Sequence, residues 1–345
     1  VTAVTLPRRG RSEPLWDRID RNRLKVAAFV TVFVLAAALS LALMVAIGGL
    51  LLLGAVASGE STTGFLSAYP WLVLGGFIVG VALAAAHIRR MLTHPEERLP
   101  GAFGAVPCQK GALPQTESAL HDMALAAGCP GSPRLWLIDD CDRVNAFALG
   151  LEERTTIIGV TRGFVDRLSA DDQRAVFANL MARVRAGDTL WATVLSSIMG
   201  PIWNQRAQQL QKDAPLKEEP TWGEALTGGV GQSRSAQKDP DGVLGGFILG
   251  FLGVVLTELM MAGHERAALA AAEKADAEGM LLLKDPAQMI AGLENVLVAN
   301  NTVPGAGEAY SGLFFCWAGF GYAPEDDPEM RRIGRLREVL GASGA

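Results

Sequence analysis

Two long stretches without a charged side chain constrain this chain more than any other feature: Val26 to Gly59, and Ser61 to Ile88. About 20 apolar residues in a helix cross the hydrocarbon of a bilayer, so each stretch is long enough to cross once. Together they predict a transmembrane hairpin over residues 26–88. Ala55-Val56-Ala57 has the small-x-small pattern of a signal-peptide cleavage site. The apolar region before it is far longer than the usual ~7–15 residues and a second span follows at once, which argues against cleavage.

The remaining composition fits that picture. Half the residues are apolar and only 19% are charged, against roughly 25% in an ordinary soluble domain. Such a balance excludes a disordered chain. With 36 acidic against 31 basic residues and a net charge of −5, and no basic stripe beyond the N-terminus, a nucleic-acid partner is excluded as well.

Basic residues flank the hairpin on its outer sides. Arg8, Arg9, Arg11, Arg18, Arg21, Arg23 and Lys25 precede it, and Arg89, Arg90 and Arg98 follow it, whereas the loop between the spans holds Glu60 and no Lys or Arg. The positive-inside rule therefore predicts a multi-pass protein of the plasma (inner) membrane with a basic cytoplasmic N-terminus, residues 1–25, and a cytoplasmic main domain from about Pro95 onward. The N-terminal charges read as a juxtamembrane anchor.

The main domain is predicted in two parts, 95–188 and 264–345, interrupted over 189–263 by a third and fourth apolar segment. Leu190 to Trp203 has the length of a buried helix or a re-entrant span, and Val243 to Ala262 could cross fully with Glu258 near one end. Residues 204–242 between them are polar and read as a loop. The predicted fold class is α+β, mainly helical. Strands fall at Arg134 to Ile138 and Thr155 to Thr161. Helices fall at Thr116 to Ala127, ended by Gly128 and Pro130, and at Ala170 to about Arg185, capped by Ser169. Asp285-Pro286 and Asp327-Pro328 open two more. In the last helix Met330, Ile333, Leu336 and Leu340 form the inner stripe and Arg331, Arg332 and Arg335 face out. Cys108, Cys129, Cys141 and Cys316 are widely spaced, which predicts free, mostly buried thiols.

Several short motifs carry a family resemblance. Trp16-Asp17-Arg18-Ile19-Asp20-Arg21-Asn22-Arg23 precedes the first span, Asn145-Ala146-Phe147-Ala148-Leu149-Gly150 follows a strand ending in Asp-Asp, and Val160-Thr161-Arg162-Gly163-Phe164 precedes a helix. An Ala275-Asp276 element and a terminal helix from Pro328 to Leu336, with Arg332-Ile333 and Arg335-Leu336, complete the order. This order resembles the HtpX-type membrane zinc metallopeptidases, gluzincins related to the CaaX prenyl proteases, over most of the chain. The resemblance implies a zincin-like cytoplasmic domain, with zinc held by H-E-x-x-H and a later glutamate.

The chain departs from that family where the chemistry should be. In H-E-x-x-H two imidazoles four residues apart share one helix face and bind zinc, and the glutamate activates the bound water. The corresponding residues here are Asn179-Leu180-Met181-Ala182-Arg183. Asn179 is a poor zinc ligand, Leu180 moves no proton, and Arg183 is a cation without a lone pair. The third ligand position, four residues before Asp276, is Ala272, and Glu273 lies one position, about 100° of helix, out of register. His264-Glu265 lacks a second histidine, since residue 268 is alanine, and His87, His94 and His121 have no partner ligand at metal-binding spacing.

The resulting expectation is a pseudopeptidase with no catalytic residues, no metal and no cofactor, although zinc is expected of the family. Arg183 is expected in the place of the metal, paired with Glu273 or Asp276; its alternative is to point into water. Polypeptide binding can outlast lost chemistry, because strand addition needs only main-chain groups and side pockets. By resemblance Asn145, Ala146, Phe147, Ile157 and Ile158 form that edge, so a polypeptide or a membrane-protein partner is implied. Two other readings stand beside it: an active metalloendopeptidase with an atypical ligand set, and a structural subunit of a membrane complex.

Overall fold

The computed structural model describes residues 15–56, 61–213, 267–303, 308–316 and 329–343. The fourth apolar segment with Glu258, the 214–242 part of the polar loop, His264-Glu265 and the Asp327-Pro328 helix start lie outside the described residues. Helix α1 spans Leu15–Val56 and α2 spans Ser61–Leu92. They form an antiparallel pair, and both are long and apolar enough to cross a membrane. The helices interlock through small residues: a Cβ on Gly80 would come within 2.6 Å of the Ala38 backbone. Elsewhere Leu35, Leu39, Leu50, Leu52, Trp71, Ile78 and Leu83 are exposed, as lipid-facing surface should be.

At 42 residues, α1 is about 63 Å long, roughly twice the thickness of a hydrocarbon core. Its first turns carry the basic residues and pack on the domain instead. Phe29 meets Trp191 edge-to-face at 5.6 Å.

The domain is built on one four-stranded sheet. Its strands are β1 (Ala105–Pro107), β2 (Arg134–Ile138), β3 (Ala146–Leu149) and β4 (Ile157–Thr161), in the order β1-β2-β4-β3. β2 and β4 are parallel, while β1 and β3 run antiparallel to their neighbours at the two edges. Both faces are covered, so β2, β3 and β4 read as near-continuous apolar runs. Leu135, Leu137, Ala146, Ala148, Ile158 and Val160 enter one core with α4 (Pro114–Ala126) and α6 (Ala170–Arg185). Trp136, Ile138, Phe147, Leu149 and Ile157 enter the other with α3 (Pro95–Ala102) and α7 (Asp188–Asp213). The Phe147 ring lies against Gly159, where any Cβ would overlap it at 2.0 Å.

Between β4 and α6 lies α5 (Arg162–Arg167), whose N-cap Thr161 accepts from the Phe164 amide at 3.2 Å. Beyond α7 come α8 (residues 267–283), α9 (Pro286–Val298) and α10 (Met330–Ser343). The sequence expectations for α4, α6 and α9 match these bounds closely because their caps are local: Ser169 accepts from the Asp172 amide at 3.1 Å and Asp285 from Gln288 at 3.0 Å.

Three expectations need correction. Helix α7 continues through 204–213, where a loop was expected, and its residues 192–200 are buried. In α10 the inner stripe is rotated: Ile333 and Leu336 are buried, but Met330 is 44% exposed and Arg332 is fully buried. Of the four free cysteines only Cys316 is buried, and Cys141 is exposed.

Candidate functional site

Helix α6 runs through the middle of the domain, buried from Ala175 to Val184. Small residues let its neighbours approach closely. A Cβ on Gly279 of α8 would meet the Asn179 backbone nitrogen at 3.0 Å, and one on Gly292 of α9 would meet the Ala175 Cβ at 2.6 Å. These contacts set the depth of residues 179 to 183, where the family would place its metal.

Asn179 faces α8. Its Nδ2 donates to the Asp276 carboxylate at 2.7 Å and to the Ala272 carbonyl at 3.4 Å, while its Oδ1 is buried with no hydrogen-bond partner. Asp276 is also held by Arg332 of α10, whose Nε donates to Oδ2 at 2.7 Å and Nη2 to Oδ1 at 2.8 Å. This fork-on-carboxylate geometry is the strong form of an ion pair. The same guanidinium donates to the Phe315 carbonyl at 2.8 Å and to Glu329, and lies 5.1 Å from the centre of the Phe315 ring. Burial alone would lower the pKa of Arg332, but the Asp276 and Glu329 carboxylates hold it well above its ordinary value.

Arg183 lies one turn further along α6 and meets different groups. Its Nη1 donates to the Phe314 carbonyl at 2.8 Å and its Nη2 to the Gly312 carbonyl, while Nε is buried without a partner. Only 3% of the residue is exposed. Burial pushes its pKa down to about 10, with the nearby Arg332 cation adding to the fall and Asp188, Glu329 and Asp276 opposing it. The side chain therefore stays charged at neutral pH.

These contacts correct the expected partnership of Arg183. It binds main-chain carbonyls, and the guanidinium paired with Asp276 is that of Arg332. Glu273, its side chain 12% exposed, pairs instead with Arg335, whose side chain is 64% exposed. The water-facing alternative does not occur either. Four residues of helix separate 179 from 183, some 6 Å along the axis, so the longer arm of Arg183 reaches the chain beyond α9 and not α8. Leu180 and Ala272 are buried apolar groups.

This donor set does not fit a zinc ion. Two of the four family positions are apolar, a third is a cation, and the fourth is an amide whose nitrogen is committed to Asp276. The buried centre already balances two guanidinium groups, Arg183 and Arg332, against two carboxylates, Asp276 and Glu329. A divalent cation would be repelled by both arginines. Among the described residues no three His, Cys, Asp or Glu groups converge on a point that could hold a metal.

The expected polypeptide-binding edge is also different in place and state. Ile157 and Ile158 lie on β4, an interior strand, and β3 is the edge. Residues 145–149 are buried because the chain's own Phe314 and Phe315 lie alongside: Phe147 bridges Phe314 antiparallel, and the Phe315 amide donates to the Ala146 carbonyl at 2.7 Å. Asn145 braces this junction, its Nδ2 donating at 2.7 Å to the carbonyls of both Asn301 and Cys316.

Sequence reasoning missed a second polar cluster. Arg18, read as part of a basic juxtamembrane anchor, and Asn22, quoted only within the N-terminal motif, are buried where α1 meets the start of α7. Arg18 donates to Asp188 at 3.1 Å and to Glu278, and Asn22 donates to Asp188 at 2.7 Å and to the Ala186 carbonyl at 3.2 Å. Their i, i+4 spacing within the quoted N-terminal motif is the signal that could have placed them on one contact face. His121 is exposed and His87 stacks on Phe33 at 6.4 Å.

The sequence pattern described as Peptidase family M48 matches residues 113–213, from α4 through α6 to the end of α7. That match and the apolar hairpin before it make the chain similar, over this stretch, to the M48 peptidases, with two helices long and apolar enough to cross a membrane. The relatives it is similar to carry HtpX-type names. It is 26% identical to the "Protease HtpX homolog" of Lactobacillus helveticus over 189 residues, covering 54% of this chain and 55% of that protein. Identity to the protein of the same name from Syntrophobacter fumaroxidans is 26% over 202 residues, 59% of this chain and 65% of that one. The Lactobacillus acidophilus protein of that name gives 26% over 189 residues. The chain thus spans 55–65% of the length of these relatives. No solved structure matches it.

Proposed function

We propose that this protein is a membrane-anchored, catalytically inert relative of the HtpX-type peptidases, acting by contact with a membrane-protein partner and not by hydrolysis. Its α+β domain is zincin-like and cytoplasmic, held below the hairpin by the basic flanks of the two spans. The observation that carries this reading is the rebuilt centre of α6. Asn179 and Arg183 bond to Asp276 and to main-chain carbonyls, and Leu180 stands where a proton-transferring carboxylate is required.

The closed β3 edge favours a regulatory or structural contact through the outer surface or the hairpin over capture of an extended chain beside α6. The purified full chain in detergent should give no hydrolysis of casein or of a model membrane protein that a chelator abolishes. Chelator-sensitive cleavage that tracks the protein through purification would overturn the proposal and favour the atypical ligand set.

A further inference from the structure

A pocket of about 130 Å³ opens where α2 leaves its apolar stretch and joins the domain. The uncharged run of α2 ends at Ile88, and Arg89 and Arg90 follow in its last turns. The chain turns at His94, with a φ of 50°, into α3. Met91 of α2, Leu99 and Ala102 of α3 and Pro201 of α7 give the pocket a mainly apolar lining. Two polar side chains break it. Tyr310, in the 3-10 turn Glu308–Leu313, is 2% exposed, and its hydroxyl has no hydrogen-bond partner among the described residues. Burial raises the pKa of that hydroxyl, so it stays a neutral donor. Arg98 is exposed and donates to the Arg90 carbonyl at 2.6 Å, and among the described residues no carboxylate pairs with it. The exposed Arg89 and Arg90 add two further cations, set against Glu96 and Glu97 in the first turn of α3, where Glu96 lies 3.5 Å from His94. Water suits this pocket poorly: its volume equals about four waters at ~30 Å³ each, and each water needs several polar partners. An unmet donor inside and cations outside call for an acceptor on an apolar body that also carries an anion.

We infer that this pocket binds an anionic phospholipid from the leaflet on the domain's side, with Arg98 on the phosphate and Tyr310 donating to the ester carbonyl of one acyl chain. Its position selects the source. Met91 lies within one turn of the end of the uncharged run, so a lipid can enter without leaving the bilayer. The volume admits an ester and its first methylenes and excludes a whole lipid, whose second chain stays among its neighbours. A guanidinium fork bonds two phosphate oxygens at once, and each basic residue near the surface adds attraction to an anionic leaflet. A lipid held there touches α2, α3, α7 and the Tyr310 turn together, and so seats the domain on the membrane. The inference needs the hairpin to span a membrane, and it is independent of whether the domain hydrolyses anything.

The test uses the full chain in phosphatidylcholine nanodiscs doped with a photoactivatable phosphatidylglycerol, its diazirine beside the ester of one acyl chain, or with the phosphatidylcholine probe of the same design. Labelled residues are located by mass spectrometry. The phosphatidylglycerol probe should label residues 91–102 and Tyr310 about tenfold more than the phosphatidylcholine probe does, while both label exposed hairpin residues such as Leu72 and Leu83 alike. Equal labelling of the pocket by the two probes, or none by either, overturns the inference. Arg98→Gln, at a surface position, should cut pocket labelling about tenfold, and Tyr310→Phe about threefold with amide protection of β4 unchanged. Wild-type labelling in either variant contradicts the contact assigned to that residue. If Tyr310→Phe loses β4 protection and so fails to fold, Arg98→Gln decides. Soluble glycerol phosphate in excess should not compete, and competition would assign the pocket to a soluble phosphate ester and overturn the lipid.

Discussion

The hairpin and the centre of the domain invert the usual distribution of polar and apolar groups in opposite senses. The hairpin puts Leu35, Leu39, Trp71 and Leu83 outside, and the domain centre buries Asn179, Arg183, Asp276 and Arg332. For the hairpin the surrounding solvent is hydrocarbon, and exposing leucine costs nothing. For the centre no solvent change helps: its charges are tolerated because they are paired and bonded to one another and to carbonyls. The first inversion is a property of where the chain resides, the second of a network that fails if one member is removed.

The largest expected effect lies in that network. Asp276→Ala leaves Arg332 buried beside one carboxylate in place of two and strips Asn179 of the shorter of its two hydrogen bonds, and should destabilise the domain by about 3–5 kcal/mol in denaturant unfolding. Glu273→Ala, three residues earlier on the same helix, removes only the pair with the exposed Arg335 and should cost below about 1 kcal/mol. Equal costs would break the distinction between buried network and surface pair.

Next comes the junction between the two regions. Arg18→Ala removes charged hydrogen bonds to Asp188 and Glu278, a loss of about 1.5–3 kcal/mol. It should be read as faster amide exchange in residues 17–25 while β4 stays protected. Unchanged exchange there would mean that the hairpin and the domain are held by apolar contacts such as Phe29 against Trp191.

Within the hairpin the effect is steric. Gly80→Ala forces a methyl against the Ala38 backbone and should cost about 1–3 kcal/mol of helix pairing. Gly75→Ala, with nothing within 4 Å of the new atom, should leave pairing unchanged. Interhelix distances from spin labels would separate the two. Smallest of all, Met330→Gln should shift stability by no more than about 0.5 kcal/mol, as befits an exposed side chain. A loss as large as that of a buried Ile333 or Leu336 would restore the stripe read from sequence.

That stripe shows where legibility ended. Hairpin, strands β2 and β4 and capped helices were readable because their signals are local: uncharged runs, β-branched clusters, Ser169 and Asp285 before their helices; β1 and β3, short edge strands, were not. Positions 179, 180, 183 and 272 could be named only because the family resemblance implies where its ligands would fall. Their partners were not readable, because they depend on which distant segments meet. An arginine in an amphipathic pattern reads as outward, and nothing near Arg332 announces that Asp276, 56 residues earlier, needs its charge. Both belong to quoted motifs, Ala275-Asp276 and Arg332-Ile333, and pairing those motif charges was the available clue. For the covered β3 edge no local clue existed, since the covering segment comes from beyond α9.

The central claim is that the position of the family's metal is filled by protein groups that exclude it. Elemental analysis of the full chain, purified in detergent without chelators from zinc-replete cells, tests this most directly. The account predicts zinc no higher than in a mock preparation. One zinc per chain, retained through dialysis, would contradict it.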